Sequence, residues 1–207
     1  MTRTVTPTRA RNRLTRWLAS VNGDGWRGWV LLVLVVALML SGVDGDTMRA
    51  RFGYERADLA AGELWRLLTA HGVHLDLRHA ALNALGLLLM WALFARDFRP
   101  RRWLAIVVAS IVAIDAGLWF LAPRIEWYVG ASGWLHGVMA AGTLAHVRRR
   151  DPAGWILAAF LAAKLAIEQQ GALPLAGDMP VVVQAHLYGA LGGLAAALCL
   201  PSRREPL

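Results

Sequence analysis

Residues 127–147 read WYVGASGWLHGVMAAGTLAHV. No charged side chain interrupts the run, and its length matches the roughly 20 residues that carry a helix across a bilayer. The stretch predicts a membrane helix, and the class of the fold with it. Two of its residues do not suit a lipid-facing surface. Ser132 lies among Gly130, Ala131 and Gly133, where a hydroxyl can bond back to its own helix. His136 follows one turn later, and a histidine at membrane depth is expensive enough to need a reason.

The remainder of the chain repeats the pattern. Of 207 residues, 57% are hydrophobic and 17% charged, and the mean hydropathy is +0.44. A soluble domain of this length carries more charge. Six segments read as membrane helices: 28–43, 79–95, 103–122, 127–147, 153–167 and 179–201. The third contains Asp115 and the fifth contains Lys164. With one cysteine, Cys199, the chain can form neither an internal disulfide nor a cysteine-based metal site.

The net charge of +8 is a matter of topology rather than of nucleic-acid binding. Fifteen arginines and four acids fall in the N-terminal tail, the connections after spans two and four, and the C-terminal tail. The opposite side holds six arginines and nine acids. The positive-inside rule then puts both termini in the cytoplasm. The expected organisation is an all-α polytopic bundle. An Arg-rich tail spans 1–27, a six-helix membrane domain 28–201 and a short tail 202–207. The first span is expected to be a retained signal anchor, since no A-x-A site follows it. The one long connection, 44–78, lies on the outer side, where an amphipathic segment in the membrane interface is expected.

Spans two, four and six all start on the outer side. His79 and Asn83 open span two at i, i+4 spacing, which puts them on one face. Ser132 and His186 lie at similar shallow depth on spans four and six. This is a chemical set. A neutral imidazole can take the proton of a serine nucleophile. The backbone N–H of Ser132, the His79 ring and the Asn83 amide are suitable donors for a developing oxyanion. Gly130 and Gly133 let the chain open beside the serine. Gly189 and Gly193, one turn apart on span six, form a small-xxx-small face that admits close helix approach.

Three separated motifs carry a family resemblance. GELWRLLTAHGVHLDLRHAALN (62–83) contains Trp65-Arg66 followed by His79-x-x-x-Asn83; GASG (130–133) contains Ser132; AHLYGALGG (185–193) contains His186. Together they resemble the rhomboid family of intramembrane serine proteases. The resemblance implies Ser132 as nucleophile, His186 as base, and cleavage of a transmembrane protein substrate without cofactor or metal. His136 stands where an aromatic residue often packs on the catalytic histidine. That variant, in a short six-span chain, resembles the rhombosortase subgroup. It implies a substrate exported with a C-terminal Gly-Gly motif, a single membrane anchor and a basic tail. The expected location is a bacterial inner membrane, with the site near the periplasmic face.

Two other function classes stay open at this point. One is an inactive rhomboid-like binder of membrane helices; the other is a multi-histidine haem or metal protein using, for example, His79 and His186. Further expectations concern single residues. No acid lies near His186 in sequence or expected depth, so a Ser–His dyad without an orienting carboxylate is expected. Lys164 is expected to snorkel outward and pair with Glu168 at i+4. His71, His74 and His146 are expected at interface or solvent positions, and His136 either packs on His186 or relays protons or contacts substrate.

Overall fold

A computed structural model describes residues 25–171 and 181–200. The tail expectations for 1–24 and 201–207, and the start of the sixth span at Met179, lie outside the described residues. The helices are α1 (Gly25–Ser41), α2 (Gly45–Phe52), α3 (Arg56–Ala60), α4 (Arg66–Thr69), α5 (Leu77–Phe94), α6 (Pro100–Ala116), α7 (Ser132–Arg148), α8 (Pro152–Gln169) and α9 (Val183–Cys199). Two short strands, β1 (Tyr54–Glu55) and β2 (Trp127–Tyr128), pair antiparallel with Tyr54 opposite Tyr128.

Among the described residues, Leu77–Phe94 and Pro100–Leu121 are each long and apolar enough to cross a membrane. α1 meets α2 at a 99° bend, so α2 turns along the surface rather than prolonging α1. Large side chains face outward, as with Trp29, Phe120 and Ile156, while alanine and glycine fill much of the interior. Lipid solvates apolar surface as well as a core does, so helix association rests on close packing instead.

α7 and α9 pack backbone to backbone. A Cβ on Gly189 would stand 2.1 Å from the Gly133 carbonyl oxygen, and one on Gly193 would stand 2.2 Å from that of Gly137. Both partners advance by four residues, so the helices run parallel in one fixed register. Gly137 in turn faces Ser110 of α6, where an added Cβ would meet the hydroxyl at 1.9 Å. The expected small-residue face at Gly189 and Gly193 is therefore where α7 and α9 meet backbone to backbone.

One expectation needs correction. The run 127–147 is not helical throughout: residues 127–128 form β2, and α7 begins only at Ser132. Gly130 adopts φ +120°, a conformation that other residues rarely reach, and this turns the chain from strand into helix. Span three runs on past Asp115 without a break. α6 continues into a π-helical turn over Gly117–Leu121, and Asp115 Oδ1 meets His71 Nε2 at 3.1 Å. Segment 44–78 forms a compact cap of short helices, from which Leu64, Trp65 and Leu68 point outward.

Two arginines organise that cap. Buried Arg66 donates to the carbonyls of Gly53 (2.8 Å) and Ala50 (3.0 Å) and pairs with Glu63 and Asp58. Arg56 caps the π-turn, donating to the carbonyls of Leu118, Trp119 and Ile125 and stacking on the Trp119 ring. A helix end exposes carbonyls that need donors, and a guanidinium supplies several at once. His71 and His74 are buried in the cap, not exposed. His146 lies at the far end of α7, bonded to Asp97 and Asp151 at 3.0 Å each.

Candidate active site

Ser132 is the first residue of α7, so its N–H has no helical partner and its side chain stands at the mouth of the helix. His186 lies in the first turn of α9, buried at 5% exposure. The parallel glycine contact brings the two together: Ser132 Oγ lies 2.9 Å from His186 Nε2. A hydroxyl donating to an imidazole lone pair is the ground-state arrangement of a nucleophile and its general base.

α5 delivers the second half of the site. Asp76 caps it by accepting from the His79 N–H at 2.7 Å, which fixes His79 in the first turn. The Leu75 N–H donates to His79 Nδ1 at 3.4 Å, so a neutral ring carries its proton on Nε2. That nitrogen points at Gly130. A Cβ added there would stand 2.9 Å from His79 Nε2 and 3.9 Å from Asn83 Nδ2. Asn83 spends one amide proton on the His79 carbonyl at 3.1 Å and keeps a second for another acceptor. Both donors thus border the glycine two residues before Ser132. Tyr128 holds that glycine, donating to the Gly130 carbonyl at 2.6 Å.

The His136 ring stacks on His186 with centroids 4.1 Å apart and planes 17° from parallel. Its Nδ1–H donates to the Ser132 carbonyl at 2.7 Å. Behind His186 stands a group absent from the expected set. Glu168 Oε2 lies 2.9 Å from His186 Nδ1, which overturns the expectation that no carboxylate approaches the histidine. Glu168 sits 18 residues before His186 on another helix, so proximity in sequence does not reveal it; its place at the outer end of span five, level with the start of span six, was the signal overlooked. Its i, i+4 relation to Lys164 was a second signal, and the two side chains are paired as that spacing implies. Lys164 does not snorkel away from the site; it turns along α8 toward it.

The donor atoms of His136, Glu168 and His186 lie within 4.8 Å of one another, close enough to hold a metal ion. Ser132, Lys164 and the Ser132 carbonyl already engage that set. His74 faces His79 edge-on and bonds Ser41 at 2.7 Å; burial lowers its pKa to about 3.

The rhomboid domain matches residues 61–203, which take in α4 through α9 and with them Ser132, His186, His79, Asn83, His136 and Glu168. The chain belongs to the rhomboid family. By family it is a multi-pass membrane protein and an intramembrane serine protease, and rhomboid proteases cleave membrane-protein substrates. Among its relatives is the putative rhomboid protease YdcA of Bacillus subtilis (strain 168), 25% identical over 148 residues, 71% of this chain and 73% of the relative. Another is the rhomboid protease GluP of the same organism, 27% identical over 112 residues, 54% of this chain but only 22% of the relative.

Proposed function

We propose that this rhomboid cleaves single-span membrane proteins near the outer membrane boundary, with Ser132 as nucleophile and His186 as general base. The observation that carries this reading is the 2.9 Å approach of Ser132 Oγ to His186 Nε2 at the mouth of α7. Ser132 Oγ attacks the scissile carbonyl carbon as its proton passes to His186 Nε2. The oxyanion forms beside Gly130, where the His79 Nε2–H, the second Asn83 amide proton and the Ser132 N–H serve as donors. The tetrahedral adduct collapses, the C–N bond breaks, and the leaving amine takes the proton from His186. Water then attacks the acyl-enzyme through the same base and donors, releasing the acid and restoring Ser132.

In this reading the chain crosses a bacterial inner membrane six times with both termini in the cytoplasm. The arginine distribution supports that orientation. The site then lies near the periplasmic face, under the 44–78 cap. Hydrolysis needs water and an unwound backbone, because a helix hides its carbonyls in its own bonds. A substrate span opening with Gly-Gly unwinds cheaply. We therefore assign a rhombosortase-like substrate: a periplasmic bulk, C-terminal glycines, one span and a basic tail.

Labelling by a fluorophosphonate probe tests the assignment. Wild-type protein should label, and Ser132→Ala and His186→Ala should not, while both insert normally. Co-expression with such a substrate should release a soluble fragment ending near the glycines in wild type but not in Ser132→Ala. A cut mapped by mass spectrometry to the cytoplasmic end of the span would refute the topology. An unchanged rate after replacing both glycines by leucine would refute the unwinding step.

A further inference from the structure

His186 has a partner on the side away from Ser132. Glu168 ends α8, and its Oε2 lies 2.9 Å from His186 Nδ1 with both side chains largely buried, at 12% and 6% exposure. Its other oxygen pairs with Lys164, one turn earlier on the same helix. A carboxylate only accepts, so the shared proton must sit on His186 Nδ1. Nε2 is then left with its lone pair, facing the Ser132 hydroxyl at 2.9 Å. Every proton position along Glu168, His186 and Ser132 follows from the acceptor at one end.

An imidazole without that acceptor has two near-equivalent tautomers, and the one with the proton on Nε2 cannot take a proton from serine. Ring stacking does not choose between them. His136 lies flat against His186 at 4.1 Å and uses its own Nδ1 on the Ser132 carbonyl. It fixes the ring plane but leaves the proton free to sit on either nitrogen. Lys164 compensates the carboxylate charge where solvent is scarce, and it reaches Glu168 rather than His186.

We infer that Glu168, held by Lys164, is a positioning residue that sets the tautomer of His186 and stabilises the imidazolium formed when Ser132 attacks. This makes the site a Ser132–His186–Glu168 relay, in place of a bare dyad. The inference rests on the assignment of Ser132 and His186 proposed above. The competing account is a plain i, i+4 helix pair between Lys164 and Glu168, worth a few tenths of a kcal/mol.

The test uses the purified full chain in detergent and follows the rate of fluorophosphonate labelling as a function of pH. Wild type is compared with Glu168→Gln, Glu168→Asp, Lys164→Met and Ser132→Ala, each with its melting temperature. The titratable and charged groups facing His186 are Glu168 and Lys164 from α8, His136 from α7 and His79 from α5. Only the first two are altered. A carboxylate beside an imidazole favours its protonated form. Glu168→Gln should therefore slow labelling by about 10²-fold, with the acid limb of the profile moved to lower pH. Glu168→Asp keeps the charge and should keep the limb near its wild-type position, which decides the matter if the Gln variant does not fold. The helix-pair account predicts that Glu168→Gln and Lys164→Met lower the melting temperature alike and leave the labelling rate per folded molecule and its limb unmoved. That result overturns the role of Glu168 and leaves the Ser132 assignment intact. Equal labelling of Ser132→Ala and wild type would instead overturn the parent assignment.

Discussion

Substitution of Gly189 by alanine would separate the catalytic pair without touching either member. Gly189 lies three residues after His186 on α9, and its Cα faces the Gly133 carbonyl one residue after Ser132 on α7. A Cβ there would stand 2.1 Å from that oxygen. The obstacle is backbone, so no rotamer change relieves it. α9 must move off α7 by about 1 Å or more to restore an ordinary van der Waals separation. The Ser132–His186 distance of 2.9 Å then opens beyond hydrogen-bonding range. Misplacement of about 1 Å costs roughly 10²-fold in rate, and overpacking costs about 1–3 kcal/mol in stability. Labelling rate and melting temperature, measured together, separate the two effects. Gly193→Ala meets the Gly137 carbonyl at 2.2 Å but lies a turn further from His186, so it should cost less rate for a similar loss of stability. Gly72→Ala meets nothing within 4 Å and serves as the control. A Gly189→Ala protein that labels at the wild-type rate would refute the claim that this contact positions the site.

Three other substitutions or conditions address the remaining parts. His79→Ala or Asn83→Ala should lower kcat by about 10²–10³-fold, the usual loss for one preorganised donor, with Ser132 still present and properly placed; wild-type turnover in both would mean that the donors lie elsewhere. His136→Tyr keeps a ring over His186 and should retain activity if stacking is its role, whereas a folded but inactive variant would assign it a proton or substrate contact. His74 has a pKa of about 3 in the folded cap against an ordinary 6.5, because burial favours its neutral form. Its contribution to the closed cap is complete above about pH 6.5 and is lost as pH falls toward 3. Hydrogen exchange in residues 44–76 should accelerate over that window, and His74→Asn should flatten the dependence.

Much of the site was legible because its residues carry their own signals. Histidines at membrane depth are costly, and glycines four apart on an apolar helix mark close approach, so Ser132, His186, His79 and Asn83 could be grouped by depth alone. The start of α7 was less legible. Hydropathy alone does not separate an apolar strand and turn from a helix, and only the positive φ of Gly130 marks the boundary. The histidines of the cap were expected at interface or solvent positions because they are polar; they are buried instead, with Ser41 of α1 and Asp115 of α6 as partners.

Glu168 is the instructive miss. Its sequence neighbourhood, AKLAIEQQ (163–170), has the look of a helix end with an ordinary lysine–glutamate pair. Nothing in that pattern says which way the pair faces. The rotation of α8 about its axis decides it, and that rotation follows from how Gly154 and Leu161 bury against the bundle. With Gly154 against the Val147 backbone, a Cβ there would meet the Val147 nitrogen at 2.5 Å, so α8 is pinned close to the end of α7. Glu168 lies 14 residues beyond Gly154, just under four turns at about 3.6 residues per turn, and so returns to nearly the same face, inward toward His186. On this argument the close packing of Gly154, at the opposite end of the helix, helps to aim the carboxylate. A Gly154→Leu variant, by tilting or rotating α8, should weaken the Glu168–His186 contact from a distance and reproduce part of the Glu168→Gln pH profile. An unshifted acid limb in a folded Gly154→Leu protein would show that α8 is oriented by other contacts.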